Sequence, residues 1–209
     1  MRVLITAGPT REPIDPVRYI GNRSSGKMGA ALAAAAIAAG HEVTLIVGPV
    51  SAAIPTGIRR IDIETAAQMH AAVLREFPEH ELLIMAAAVA DFRPVRLESR
   101  KLSRGQAMSI ECEPTEDIVA AAGATKRPDQ RIVGFSLEAR GDIDRAREKL
   151  VRKNLDMVVY NPIETMESQA IEPVLLWRDG RSETPPGQGK GEFAKLLLDR
   201  SILLFNRKT

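Results

Sequence analysis

The sequence predicts an α/β fold: a mostly parallel sheet with helices on both faces, plus a projecting β-ribbon. Three observations predict it. Short apolar runs recur along the chain, each suited to a strand buried on both faces. Between them stand stretches with helical spacing, such as Ile143, Ala146 and Leu150. The connections are short, and strands alternating with helices in this way build parallel sheets of the Rossmann-like sort. With 209 residues and 44% hydrophobic content, the chain can bury a proper core as one compact domain, residues 1–209.

The elements follow in order. Val3 to Ala7 is an apolar run ending in Gly8-Pro9, a first buried strand. Lys27 to Ala39 is built almost wholly from Ala, Leu, Ile and Met, so it forms a helix that packs closely, with Gly40 as its stop. Glu42 to Val47 and Arg59 to Ile63 are strands, and a helix runs from about Ala66 to Phe77. The alternation continues with a strand over Leu82 to Ala90, a helix over Asp117 to Ala124, a strand over Arg131 to Leu137, a helix over Ile143 to Lys153 and a strand over Met157 to Tyr160. Val174 to Trp177 and the residues after Gly180 suggest a hairpin, and Phe193 to Leu204 a closing helix. The Gly/Pro-rich stretch 185–193 reads as a mobile surface loop, with a lid as the alternative.

Residues 92–113 break the pattern. Met108, Ile110 and Cys112 alternate with Ser109, Glu111 and Glu113, the period of a half-buried strand. With a basic turn at Arg100 to Gly105, the segment predicts the projecting ribbon, an element suited to meeting a second subunit or closing over a ligand.

Composition excludes several function classes. Lys and Arg outnumber Asp and Glu by 29 to 27, which gives no electrostatic case for nucleic-acid binding. A single cysteine, Cys112, and three scattered histidines leave neither an intrachain disulfide nor a zinc spacing, which suits a reducing cytoplasm. His41, His70 and His80 have no convergent partners and read as surface residues. Apolar runs stay short of the ~20 residues that span a bilayer, so a soluble, cytoplasmic protein is expected.

Within RYIGNRSSGKMG, Gly21, Gly26 and Lys27 match the phosphate-binding P-loop spacing, yet Met28 stands where Ser or Thr would hold magnesium. The long loop from the first strand also separates this from a P-loop. A dinucleotide-type G-x-G-x-x-G is missing after that strand as well, which disfavours an NAD(P)-dependent oxidoreductase. Ser24, Ser25 and Gly26 lie where a helix begins, so they either receive an anion or simply cap the helix.

Asn22 offers a carbonyl acceptor and an amide donor, fit for orienting a substrate or an oxyanion; the alternative is a left-handed turn residue. Asp91 ends AAAVAD at a strand's carboxyl end, where it can meet magnesium or ribose, or cap the next turn. Lys101 lies on the ribbon, as a phosphate neutraliser or part of a solvated turn. Lys149 and Lys153 share a helix face with Arg145, and like charges so spaced repel unless an anion sits between them or Glu148 and Asp144 relieve them.

Taken together, ITAGPTREPIDPVRYIGNRSSGKMG (5–29), AAAVADFR (86–93), KLSR (101–104), VGFSLE (133–138) and RKNLDMVVYN (152–161) closely resemble the phosphopantothenate-cysteine ligase family, over residues 3 to about 205. The resemblance implies a bacterial CTP-dependent enzyme that activates 4'-phosphopantothenate as an acyl-cytidylate, releases pyrophosphate, and lets the cysteine amine displace CMP. It places the family's second-step asparagine on Asn22 and its first-step lysine on Lys101. It places nucleotide contacts on Ala86, Ala87, Asp91, Phe135, Lys149 and Lys153, with Ser24, Ser25 and Gly26 near phosphate, and Ala88 on the pantothenate side. It further implies magnesium, with its ligands unspecified, and a homodimer whose lysine-bearing ribbon closes a site near the interface. KLSR departs from the family's K-x-K-K: serine and arginine replace two lysines, while Lys101 is kept. Relatives are often fused behind a flavin-dependent decarboxylase, so the chain is expected to be either a standalone ligase or the carboxyl-terminal half of such a fusion. A non-catalytic nucleotide-binding module on the same fold is the remaining alternative.

Overall fold

The structure, a computed structural model, describes residues 1–103, 105, 107–139, 142–163, 170–171 and 173–206. Fourteen strands and five α-helices are assigned among them. Eight strands form one sheet: β1 (Arg2–Ala7), β4 (Glu42–Val47), β5 (Arg59–Asp62), β6 (Leu82–Met85), β9 (Arg131–Glu138), β10 (Met157–Pro162), β12 (Val174–Trp177) and β13 (Ser182–Glu183). Their spatial order is β13-β12-β10-β9-β6-β1-β4-β5. From β10 across to β5 every pairing is parallel, and the hairpin β12-β13 adds an antiparallel edge.

From β1 the chain builds outward one way, to β4 and β5; from β6 it builds the other way, to β9 and β10. The carboxyl ends of β1 and β6 therefore flank a topological switch point, where crossovers leave on opposite sides and open a crevice.

Strand alternation divides the core in two. Val3, Ile5 and Ala7 of β1, with Leu82 and Ile84 of β6, face the helices α1 (Lys27–Ala38) and α5 (Lys190–Ile202). Leu4, Leu83 and Met85 face the opposite layer, formed by α2 (Ala66–Glu76), α3 (Ile118–Thr125) and α4 (Ile143–Arg152). This is the period-2 division that a parallel sheet covered on both faces demands. Local chemistry fixes the helix ends. α2 starts with a capping box in which the Thr65 hydroxyl accepts from the Gln68 N–H and the Gln68 side chain reaches back. A 3-10 turn, Phe77–Glu79, follows it.

Four expectations change. The strand read over Leu82 to Ala90 stops at Met85. Beyond it the chain bends to hydrogen-bond with the β1 loop: the Ala88 N–H donates to Gly8 O at 2.8 Å and the Thr10 N–H to Ala88 O at 3.3 Å. The half-buried strand over Met108 to Cys112 is also absent. The ribbon is a three-residue pair, β7 (Phe92–Pro94) with β8 (Cys112–Pro114), and Met108, Ile110 and Cys112 are exposed, since nothing within the described chain covers that face. Arg104 and Gln106 of the ribbon lie outside the described residues. Finally, His80 is buried, its Nδ1 bonded to Glu76 O at 2.7 Å and its Nε2 to the Thr44 hydroxyl at 2.9 Å. The closing helix begins at Lys190, earlier than Phe193, and shortens the Gly/Pro loop.

The remaining strands are small pairs. β2 (Arg11–Pro13) and β3 (Tyr19–Gly21) make a hairpin inside the loop that follows β1, and β11 (Ala170–Ile171) pairs with β14 (Gln188–Gly189).

Candidate active site

Three adjoining cavities open at the switch-point end of the sheet. The first, about 250 Å³, lies on the α1 side between the first turn of α1, Ala86 to Ala88, and Phe135 to Leu137. The second, about 270 Å³, lies on the α3/α4 side and is lined by Asp91, Thr115 to Val119, Lys149 and Lys153. They share Ala87 and Phe135, which form the partition between them. A third, about 680 Å³, lies beside the β2-β3 hairpin, takes in Arg11 and Asn22, and shares Arg23 and Ser24 with the first.

Helix α1 enters the first cavity without a side-chain cap. Its N-cap is Gly26, at φ 76, a left-handed conformation natural to glycine. Ser24 Oγ accepts from the Gly26 N–H at 3.3 Å, so neither serine caps the turn that follows. The helix therefore presents uncapped N–H groups and its positive dipole end to the cavity, the equipment of an anion site. Gly29 lets α1 lie directly on β1: a Cβ there would stand 2.3 Å from Ala7 Cβ. Gly26 and Gly29 thus supply the helix-entry and close-packing roles of a dinucleotide glycine motif, although the β2-β3 hairpin separates them from β1. Lys190 and Asn161 complete the lining. Asn161 Oδ1 is buried without a hydrogen-bond partner among the described residues, the condition of an acceptor that can take a ligand donor or water.

The second cavity is a charged one. Lys149 Nζ donates to Phe135 O at 2.6 Å, and Lys153 Nζ pairs with Asp117 Oδ2 at 2.8 Å. Side chains on a helix lean toward its amino terminus, which is how two lysines near the end of α4 reach up to the site. Burial pushes the Lys149 amine below the ordinary lysine value, and the charge of Lys153 pushes it further. Burial raises the Asp117 carboxyl, but Lys153 and the Ala120 N–H that Asp117 caps outweigh it and hold it below the usual range. Relief of the lysine pair thus comes from Asp117 and a carbonyl, not from Glu148 or Asp144. Arg145 stands apart and approaches Glu138 at 3.8 Å.

The bend after β6 is pinned by the stiff loop. Ala87 N–H donates to the Thr6 hydroxyl at 3.2 Å, Ala90 N–H to the Thr10 hydroxyl at 2.9 Å, and the Thr115 hydroxyl to Ala90 O at 2.6 Å. Asn22 Nδ2 donates to Val89 O at 2.7 Å, which fixes the amide plane beside the same bend and leaves its second N–H directed elsewhere. Asn22 is not in the left-handed region; Asn154, at φ 53, is the non-glycine residue that occupies it among the described residues. Glu12 is buried and accepts from the first N–H of α2, Ala66, at 2.7 Å, so the hairpin is braced against a helix dipole.

Asn22, Ser24, Ser25, Gly26, Ala86, Ala87, Ala88, Asp91, Phe135, Lys149 and Lys153 all stand at this end of the molecule, divided among the three cavities. Lys101 does not join them. It is exposed on the ribbon, next to Leu102, whose N–H donates to Asp15 Oδ2 at 3.1 Å and whose carbonyl accepts from Arg18 at 2.7 Å. Asn161, Lys190, Arg23 and Glu116 were not singled out from the sequence. Asn161 has a signal, because it lies near the carboxyl end of β10, the edge of the sheet where ligands gather; Lys190 has none within a Gly/Pro-rich stretch.

No group of three or more His, Cys, Asp or Glu residues that could hold a metal by itself occurs among the described residues. Asp91, Glu116 and Asp117 line the second cavity, with Asp117 engaged by Lys153. One or two carboxylates of this kind suit a magnesium ion that arrives on phosphates, which binds through few protein ligands. No helix among the described residues is long and apolar enough to cross a membrane.

The model of the DNA/pantothenate metabolism flavoprotein C-terminal domain matches residues 1–203. The chain is 44% identical over 191 residues to the coenzyme A biosynthesis bifunctional protein CoaBC of Vibrio cholerae, covering 88% of this chain and 48% of that protein. It is 51% identical over 164 residues to a cysteine/cysteine sulfinic acid decarboxylase from an unknown prokaryotic organism, covering 78% of this chain and 46% of that one. It therefore spans about half the length of these relatives. A crystal structure of the C-terminal domain of a coenzyme A biosynthesis bifunctional protein CoaBC superposes with a TM-score of 0.85 at 35% identity, over 99% of this chain and 96% of that one. With the family model matched along nearly its whole length, the chain belongs to the DNA/pantothenate metabolism flavoprotein C-terminal domain family.

Proposed function

We propose that this chain is a phosphopantothenate-cysteine ligase that uses CTP, joining 4'-phosphopantothenate to cysteine in coenzyme A biosynthesis. The observation that carries the reading is the pair of cavities meeting at Ala87 and Phe135 on the switch point, one of them bearing two lysines. Family membership and the loop motif around Asn22 support it. CTP occupies the second cavity, with its phosphates beside Asp91, Lys149 and Lys153, and reaches past Ala86 and Ala87 toward Ser24, Ser25 and Gly26. The acid lies along the hairpin cavity past Ala88 and Asn22, where Arg11 lines the wall on the side of its phosphate.

In the first step a carboxylate oxygen of the acid attacks the α-phosphorus of CTP, and the bond to the β-phosphate oxygen breaks to release pyrophosphate. Lys149 and Lys153 stabilise the charge gathering on the phosphates, and Lys101, carried on the ribbon of a second subunit, adds to them. Asp91 and Glu116, which line the second cavity, would hold a magnesium ion that arrives on the phosphates, and such an ion would supply further charge neutralisation there. In the second step the cysteine nitrogen bonds to the acyl carbon, CMP leaves with the electron pair of the acyl–oxygen bond, and the amine gives up its proton. The free N–H of Asn22, whose partner N–H is fixed on Val89 O, donates to the oxyanion of that step.

The decarboxylase named for one relative belongs to a protein about twice this length; we assign that chemistry to the half this chain does not span. Incubating the purified protein with CTP, 4'-phosphopantothenate, cysteine and magnesium tests the reading. Release of pyrophosphate and CMP in equal amounts, dependent on both the acid and cysteine, is expected. Binding of NADPH with no such release would instead favour an oxidoreductase, and replacing CTP by ATP with undiminished rate would overturn the nucleotide assignment.

A further inference from the structure

We propose that a cleft at the opposite end of the sheet is a second, separate binding site for a small phosphate-bearing anion. Arg131 opens β9, Asp156 immediately precedes β10, and Trp177 ends the antiparallel β12, so all three lie at the end remote from the switch point. There they line a cavity of about 550 Å³.

The charge of this cleft is one-sided. Lys126, Arg127, Arg131, Arg178 and Arg181 line it, against two carboxylates, Asp156 and Asp179. Both carboxylates are already engaged, Asp156 by Lys126 at 2.9 Å and Asp179 by Arg181 at 2.7 Å. Arg127 turns to Asp129. The hydrogen bonds of Arg131 go to neutral carbonyls, those of Leu204 at 3.1 Å, Pro128 at 2.7 Å and Gln130 at 2.8 Å. Arg178 donates to the Asn154 side-chain oxygen, also neutral. Arg178 therefore faces the cleft with no carboxylate ion pair among the described residues, and Arg131, whose charge also reaches Asp129, spends its hydrogen bonds on neutral carbonyls. Hydrogen bonds to neutral oxygens orient them without neutralising them, and paired guanidinium forks match phosphate oxygens. Trp177 forms a nearly buried wall, with Arg181 over its ring at 5.0 Å; Arg131 is steadied over Phe205 at 5.3 Å.

Trp177 is the one tryptophan of the chain, so its fluorescence reports the cleft without a label. The test titrates the full chain with inorganic pyrophosphate, then with a nucleoside diphosphate. A saturable change in Trp177 emission is expected. It should persist in Lys153→Met, which alters the cavity at the other end, and weaken by about tenfold or more in Arg178→Gln, which removes one charged donor from an exposed position. Arg131→Lys serves as a second variant, since it keeps the charge and loses the fork. Tighter binding of the nucleotide marks a nucleotide as occupant and tighter binding of pyrophosphate an inorganic one; both support the site. No saturable change, a change indifferent to both arginine variants, or one abolished by Lys153→Met would overturn it. The readout does not depend on ligase activity, so this site and that activity stand or fall separately.

Discussion

Lys149 and Lys153 show what a residue pattern reveals and what it hides. Their spacing puts them on one helix face, and the structure directs both to the second cavity. Their partners were hidden, because Asp117 and Phe135 are brought in by other elements, and no local rule links residues 36 positions apart. Removing the Lys153 charge by Lys153→Met should raise the KM for the nucleotide roughly 10- to 100-fold, the worth of a charged hydrogen bond, in steady-state assays. The depressed Lys149 amine gives a pH signature. Its ammonium is present below its lowered pKa and lost as pH rises through it, so nucleotide affinity should begin to fall at a pH below the ordinary lysine value of 10.5. Lys149→Arg, which stays charged, should remove that step from the binding profile. The same limit explains the histidines. His80 is a core residue because Thr44 and Glu76 close around it, and its neighbours in sequence carry no trace of this.

At the scale of elements, α1 was legible almost to the residue, since an Ala-rich run is both a strong helix former and thin enough to lie on a sheet. Its glycines were legible only as a failed motif. The hairpin of β2 and β3 interrupts the sequence spacing while the fold restores the contacts, with Gly29 against Ala7. Gly29→Ala should therefore lower stability by about 1–3 kcal/mol through overpacking, measured by denaturant unfolding. The ribbon is legible as an exception but not in detail, because alternation implies a burial that the described chain does not provide. Its tether is a buried carboxylate. Burial raises the Asp15 carboxyl, but the N–H groups of Val17, Leu102 and Arg18 and the Arg18 guanidinium outweigh it and hold it far below its ordinary value. Such a group contributes stability that is fully present above its unfolded pKa, about 3.9, and lost as pH falls from there through the folded pKa. The ribbon at Leu102 should stay protected from proteolysis at pH 5 and above and loosen in stronger acid, whereas Asp15→Asn should expose it to cleavage even at neutral pH.

At the scale of the molecule, alternating strands and helices gave the fold class and, with it, the end of the sheet where ligands gather. What stayed hidden was the partition of that end. Residues read as one site lie around cavities separated by Ala87 and Phe135, and a sequence cannot show a wall made by a backbone bend. Under the proposed ligase function, we expect Lys149 and Lys153 to serve activation and Asn22 to serve amide formation. A rapid-quench single turnover of Asn22→Ala, following pyrophosphate and CMP separately, addresses this division. Pyrophosphate should appear at nearly the normal rate while CMP release slows by about 100-fold or more and the acyl-cytidylate accumulates. Equal slowing of both products would contradict the division.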